Sequence, residues 1–298
     1  MGTYSIVARD GDSGELGVAV QSHWFAVGSV VTWAQPGVGA VATQSIALAS
    51  HGPDALAQLA RGLQARGAID AVLATDSLAH MRQLGVVDST GNAASHTGTG
   101  CIPHAGHEQG AGFACQANLM AGTTVPAAMA SAYRAAEGDL AERLLAALEA
   151  AEAAGGDLRG RQSAALLVVP AQGESWRTRF DVRVDDDSAP LPGLRRLLRL
   201  ARAYEMAEEG DALLAAGSRE QARGRYVAAA ALAPESDELL FWGGVGVAAD
   251  DLQRGVEMVR CAARQNPAWV TLLERLPAEL EPMAAPLLAA LREQGERP

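Results

Sequence analysis

The strongest constraint on this chain is a β-strand at its start. Tyr4, Ile6 and Ala8 alternate with Ser5, Val7 and Arg9, and the run halts at Asp10-Gly11-Asp12-Ser13-Gly14, a cluster of turn formers. A second run, Leu16 to Ser22, returns beside it. Chain starts commonly fray. A strand there draws the first residues into the fold, with Thr3 at its head. That suits an enzyme using the hydroxyl and the amine of one N-terminal residue together.

With 298 residues and 49% hydrophobic side chains, the chain has material for an ample core and is expected to form two domains. Its apolar runs are too short or too interrupted to span a bilayer. No basic segment precedes an apolar one, so no signal peptide is expected. Met1-Gly2 is not a myristoylation start, because Ile6 stands where Ser or Thr is wanted. There is no lysine, and the net charge of −11 argues against nucleic acid and anionic membranes as partners. Three cysteines without framework spacing fit free thiols in the cytoplasm.

Up to about residue 185, strands and helices come in blocks. Strands are expected at 3–9, 15–22, 27–34 and 38–45. Pro53 opens a helix carrying Leu56, Leu59 and Leu63 on one stripe and closing at Gly67, with a short helical piece near 68–80. Strands resume at 82–88, 92–98 and near 111–118. Two helices follow, the second starting at the capping box Asp139-Leu-Ala-Glu142 with Leu140, Leu144 and Leu148 in one row. Ser163–Val169 and Arg177–Val184 are the last strand pair. This order points to an α+β fold with antiparallel sheets covered by helices.

The segment Asp185 to Gly193 marks a boundary, giving domains at 1–190 and 191–298. Everything beyond reads as helix. Gly210 and Gly244 are 34 residues apart, as are Ala229 and Ala263, and Pro234 and Pro267 close the second helix of each pair. Ala222 fits the small-residue pattern, Val256 less well. The spacing resembles tetratricopeptide repeats: about two units and a half-unit around Trp269–Leu276. A plain helical bundle is the alternative.

In the first part, several segments combine into a specific pattern. They are Thr3-Tyr-Ser-Ile-Val-Ala-Arg-Asp10, Gly17-Val-Ala-Val-Gln-Ser-His-Trp-Phe-Ala-Val-Gly28, Gly37-Val-Gly-Ala-Val-Ala-Thr-Gln44 and Arg82-Gln-Leu-Gly-Val-Val-Asp88. His107-x-x-Gly-x-Gly112, Gln116-Ala-Asn118 and Gly156-Asp-x-Arg-Gly-Arg-Gln-Ser-Ala164 complete it. Over roughly residues 3–190 the chain resembles the family called domain of unknown function 1028, regarded as Ntn-hydrolase-like. The resemblance implies a four-layer αββα sandwich. It also implies an N-terminal threonine whose Oγ attacks an amide while its own α-amine takes the proton, with no metal or organic cofactor. Thr3 matches that position. Family members typically start Met-Thr, whereas Gly2 intervenes here. Gly2 must leave before the amine of Thr3 can act, and an ordinary strand residue is the alternative for Thr3.

Other candidates surround it. Ser22 is expected to face the cleft, with Gln21 and His23 on the opposite face and His23 at the rim. Gln44 is a candidate oxyanion donor or a solvated strand end. Gln116 and Asn118 share a strand face and suit a polar substrate. Asp157 and Arg161 are expected to pair near the site, as an anion contact or as a turn brace. Cys101, His104 and His107 have spacing that tempts a metal reading, but Pro103 and Gly106 argue for a cleft-edge loop with His107 as a substrate contact. Ser22 with His23, or Cys101 or Cys115, would be weaker nucleophile choices.

Two functions follow. One is a cytoplasmic amidohydrolase acting on a small polar amide, with Thr3, Ser22 and Gln44 catalytic and a homodimer or higher oligomer expected. The other is an inactive platform that dimerises and offers its helical repeats to a protein partner.

Overall fold

The structure, a computed structural model, describes residues 2–295. Met1, whose removal the processing argument needs, lies outside the described residues, as do residues 296–298. The chain divides into two compact units, residues 1–198 and 199–298.

The first unit is α+β and is built on two antiparallel sheets. Six strands, in the order β10-β9-β2-β1-β8-β7, form one sheet. They are β1 (Thr3–Arg9), β2 (Leu16–Ser22), β7 (Gly106–Gly110), β8 (Phe113–Asn118), β9 (Ser163–Val169) and β10 (Phe180–Val184). The other sheet runs β3-β4-β5-β6, from β3 (Thr32–Gln35), β4 (Gly39–Ser45), β5 (Arg82–Asp88) and β6 (Ala93–Thr97). The strand that opens the chain is therefore central, held between β2 and β8 with Thr3 opposite both Ser22 and Asn118.

Alternation sorts each strand's side chains between a helix and the opposite sheet. Val7, Val18, Val20, Ala40, Ala42, Val87 and Ala114 meet between the sheets. The odd faces of β4 and the even faces of β5 turn the other way: Val41, Leu84 and Val86 pack with Leu56, Leu59, Ile69 and Val72 of α2 (His51–Ala60) and α3 (Ala65–Leu73). On the six-stranded sheet, α4 (Val125–Ala135) and α5 (Leu140–Ala153) cover the outer face. The predicted Leu140, Leu144 and Leu148 row is fully buried there, and Asp139 Oδ1 accepts from Glu142 N at 3.0 Å as the capping box requires. Gly17 has no room for a Cβ, which would stand 2.7 Å from Leu144.

Three expectations need correction. The run 27–34 is not one strand: α1 (Gly28–Val31) makes a helical turn before β3. Val27 and Val31, four apart, enter the inter-sheet core together as the chain crosses between sheets, and Thr32 Oγ1 donates back to Gly28 O. The helix expected from Pro53 to Gly67 ends at Ala60. Gly62, at φ +93°, closes it with Leu63 N donating to Gln58 O and its own N to Leu59 O, the paired bonds of a Schellman cap. Leu63 is accordingly 42% exposed. Finally, Gly106–Gly110 forms a strand, β7, that its sequence does not signal, because Gly-His-Glu-Gln-Gly carries no apolar alternation; it is an exposed edge strand.

The second unit is helical. After the latter part of α6 (Pro190–Ala215) come α7 (Arg219–Leu232), α8 (Asp237–Ala248), α9 (Leu252–Gln265), α10 (Ala268–Arg275) and α11 (Ala284–Gly295). Glycines let backbones and rings close up: a Cβ on Gly210 or Gly246 would strike the Tyr226 ring, and Gly244 and Gly255 each face the other's carbonyl. Pro234 and Pro267 follow the ends of α7 and α9, as the spacing predicts. Among the described residues no helix is long and apolar enough to cross a membrane.

Candidate active site at the Thr3 end of the paired sheets

The inter-sheet layer changes chemistry toward the head of β1. Thr3, Ser5, Ser22, Gln44, Gln83, Gln116 and Asn118 all turn into it, and every one is fully buried. Buried amides and hydroxyls normally find partners, and here most of them find each other, while Gln116 Oε1 and Asn118 Oδ1 have no hydrogen-bond partner among the described residues. Ser5 Oγ donates to Gln44 Oε1 at 2.6 Å, and Gln116 Nε2 donates to Ser5 Oγ at 2.6 Å. Gln83 Oε1 accepts from Gln44 Nε2 at 2.8 Å and from Asn118 Nδ2 at 2.9 Å. Gln83 Nε2 donates to Thr97 Oγ1 at 2.9 Å and to Ala117 O at 2.9 Å. Gly85 leaves the space that the Gln116 amide fills, since a Cβ would lie 2.1 Å from its oxygen.

At the head of the strand the carbonyl of Gly2 is the focus. Thr3 Oγ1 lies 2.6 Å from Gly2 O and 3.1 Å from Ser22 Oγ. Ser22 Oγ donates to Gly2 O, and Arg159 Nη2 donates to it at 2.9 Å. Two hydroxyls and a guanidinium thus converge on one peptide oxygen. Arg159 is held by the buried Asp157: Oδ1 accepts from Arg159 N at 2.9 Å and Nε at 3.1 Å, and Oδ2 from Nη2 at 2.8 Å and from His23 N at 3.2 Å.

The expected pairing of Asp157 with Arg161 therefore gives way to Asp157 with Arg159. The Asx-type turn folds Arg159 back over the Asp157 carboxylate, and Gly160, at φ +99°, sends the next residue elsewhere. Arg161 Nε instead pairs with Glu152 Oε1 at 3.2 Å. Glu152 Oε2 also accepts from the Tyr4 hydroxyl at 2.8 Å on the helix-covered face of the sheet. Burial first, and then the Glu152 charge, push the Tyr4 hydroxyl well above its ordinary range.

The other expected residues fall as follows. Ser22 faces the layer, while Gln21 turns to the helix side and His23 is exposed at the rim. Gln44 sits at the carbonyl of Thr3, to which Nε2 donates at 3.3 Å, and not at its hydroxyl. Gln116 and Asn118 share the buried face as expected. His107 lies across from Gln116 on the exposed edge strand, its Nδ1 2.9 Å from Thr97 Oγ1, and burial lowers its affinity for a proton. Cys101, His104 and His107 reach three different partners, Arg82 O, Met120 O and Thr97. Among the described residues there is no cluster of three or more His, Cys, Asp or Glu that could hold a metal. Sequence reasoning missed Ser5 and Gln83, and of the two arginines at the glycine turn it preferred Arg161 to Arg159. Gln83 carried a signal, a lone amide on the face of a strand whose neighbours on that side are Gly85 and Val87.

Backbone strain gathers here as well. Among the described residues the non-glycine positions in the left-handed region are Ala26, Ser45, His104 and Leu119, at φ +49°, +71°, +56° and +58°. Ala26 follows β2, Ser45 ends β4 and Leu119 follows β8, all at the Thr3 end, and His104 is tied to Met120 beside Leu119. Such conformations cost about 1–3 kcal/mol each and concentrate at functional sites.

Comparisons agree with this architecture. The protein SPO2555 from Silicibacter pomeroyi, a solved structure of the DUF1028 family, superposes with a TM-score of 0.62 at 30% identity, covering 67% of this chain and 89% of that chain. Anbu (ancestral beta-subunit) from Yersinia bercovieri aligns over 65% of this chain and 92% of that chain at 13% identity, with a TM-score of 0.33, too loose a likeness to carry an argument. Comparison with curated proteins gives no match. A family model, described as a family of unknown function, matches residues 3–194, so this chain belongs to the DUF1028 family.

Proposed function

We propose that the first unit is an αββα sandwich of the Ntn-hydrolase kind. In this reading it is an amidohydrolase whose nucleophile, Thr3, is freed by cleavage of the Gly2–Thr3 bond. The observation that carries the reading is the convergence of Thr3 Oγ1, Ser22 Oγ and Arg159 Nη2 on the Gly2 carbonyl oxygen. A carbonyl so placed has a hydroxyl beside it for attack and two further donors for the charge that develops on its oxygen.

The chemistry follows from those positions. With its amine free, with a pKa of about 8, Thr3 passes its hydroxyl proton to its own nitrogen as Oγ1 bonds to the substrate carbonyl carbon. The oxyanion forms toward Ser22 and Arg159. Collapse breaks the C–N bond, the leaving amine departs with the proton, and water then hydrolyses the threonyl ester. Gln44 and Gln116 hold the strand from behind, because their amides are engaged with Ser5 and the backbone. No metal or organic cofactor is called for, and a small amide is the substrate class.

Preparing the chain to begin at Thr3 tests this. It should hydrolyse small amides, Thr3→Ala should abolish turnover, and intact mass from native cells should show a chain starting at Thr3. Hydrolysis unaffected by Thr3→Ala would sink the reading.

A second reading rests on the complete burial of Thr3 while Gly2 is in place. The unit would then be an inactive platform, with Trp24, Phe25 and Leu158 exposed near the same end as an oligomer contact and the tetratricopeptide-like helices as a site for a protein partner. Native protein that keeps Gly2, and is dimeric in solution, would favour it.

A further inference from the structure

We infer that the acyl pocket beside Thr3 accepts only acyl groups with an unbranched carbon next to the carbonyl, so that glycyl amides are substrates and amides of other L-amino acids are not. The inference rests on the N-terminal-threonine reading, and it comes from what fills the pocket in this chain. The unit whose carbonyl meets Thr3 Oγ1, Ser22 and Arg159 is a glycyl group, Gly2. Gly2 is itself buried. A Cβ in the L configuration on it would stand 2.8 Å from Asp157 Oδ2, 2.9 Å from Asp157 Oδ1 and 2.9 Å from Leu119 Cδ2. A methyl branch at that carbon collides with three atoms at once.

The two carboxylate oxygens cannot easily yield. Both oxygens of Asp157 are used, by four hydrogen bonds from Arg159 and His23, which fills the acceptor capacity of a carboxylate. Moving it would also displace Arg159, a donor to the carbonyl itself. Leu119 Cδ2 is the tip of a half-buried, flexible side chain that can rotate aside, so the wall that holds is the Asp157 carboxylate. The wall that sets the pocket's size is thus tied to the group that polarises the substrate. Asp157 acts as a positioning and size-setting residue and not as a proton carrier.

The test uses the full chain prepared to begin at Thr3, with the 4-nitroanilides of glycine, acetic acid and L-alanine. Glycyl and acetyl amides should be hydrolysed, with kcat/KM for the L-alanyl amide lower by at least about tenfold. The Asp157→Ala variant, which removes both carboxylate oxygens, should narrow the glycyl-to-alanyl ratio whatever it does to the absolute rates. L-Alanyl turnover equal to or faster than glycyl would overturn the inference and leave the threonine mechanism standing. Failure to hydrolyse any of the three would overturn the threonine mechanism, and this inference with it.

Discussion

The same strands build two unlike ends of one inter-sheet layer. Away from Thr3 the layer is apolar: Val7, Val18, Val20, Ala42 and Ala114 fill it. Two to four residues along each strand, on the same face, stand Ser5 and Thr3, Ser22, Gln44, and Gln116 with Asn118. The apolar end gains by leaving water, roughly 25 cal/mol for each Å² buried. The polar end gains little by that route and is costly if any member is left unpaired. A chain that needed only stability would continue the valines. At that end hydrogen bonds, and not apolar contact, set where the side chains point.

The largest effect expected is chemical. In the chain beginning at Thr3, Thr3→Ala should reduce amide hydrolysis by about 10³-fold or more, with only about 1 kcal/mol lost in stability from the buried hydroxyl it removes. Leu16→Ala, at the apolar end, should do the opposite, costing about 3 kcal/mol of stability by chemical denaturation while leaving kcat of the folded protein near its parent value. If Leu16→Ala cut turnover as deeply as it cut stability, the two ends would not be separable.

Gln83→Leu blurs the boundary by making the polar end apolar. It removes the acceptor shared by Gln44 Nε2 and Asn118 Nδ2, so it should cost about 2 kcal/mol and also lower kcat. A stability loss with kcat untouched would show that the amide layer is only a brace.

The smallest effect is in acid. The amides and hydroxyls of the layer have no proton to gain near pH 4, so acid sensitivity should come from carboxylates at its edge. The Arg82 hydrogen bond, 2.7 Å to Oδ2, holds the carboxyl of Asp76 below its usual value. A depressed folded-state pKa stabilises above the unfolded value of about 3.9 and loses that contribution as pH falls through the folded one. Stability should therefore drop between about pH 5 and about pH 3, and Asp76→Asn should flatten that stretch while lowering stability at neutral pH. An unchanged acid limb in Asp76→Asn would assign the effect to other groups, such as Asp10 or Asp88, whose carboxyls are also held low.

Much of this was readable before any coordinates. Alternation placed β1, β2, β5 and β9 within a residue of their observed ends and set Thr3, Ser22, Gln116 and Asn118 on common faces. The Asp139 cap and the Leu140, Leu144 and Leu148 row were equally plain. These are local signals, carried by period and by the chemistry of turn residues. The misreadings share one cause. Val27 to Val31 has the composition of a strand but turns because it must cross between sheets. The choice of Arg159 over Arg161 depended on a backbone turn of a few degrees of freedom at Asp157 and Gly160.

The amino-acid sequence alone thus determined most of the elements, the faces they bury and the family to which residues 3–194 belong, since periodicity and motif need no knowledge of what lies across the layer. Only the tertiary structure decided that Gln44 supports the back of Thr3 and that Arg159 reaches the Gly2 carbonyl. It also decided that the Asp157 carboxylate stands where a Cβ on Gly2 would fall. Those outcomes are distances between residues far apart in the chain, and distance of that kind exists only once the sheets have closed on each other.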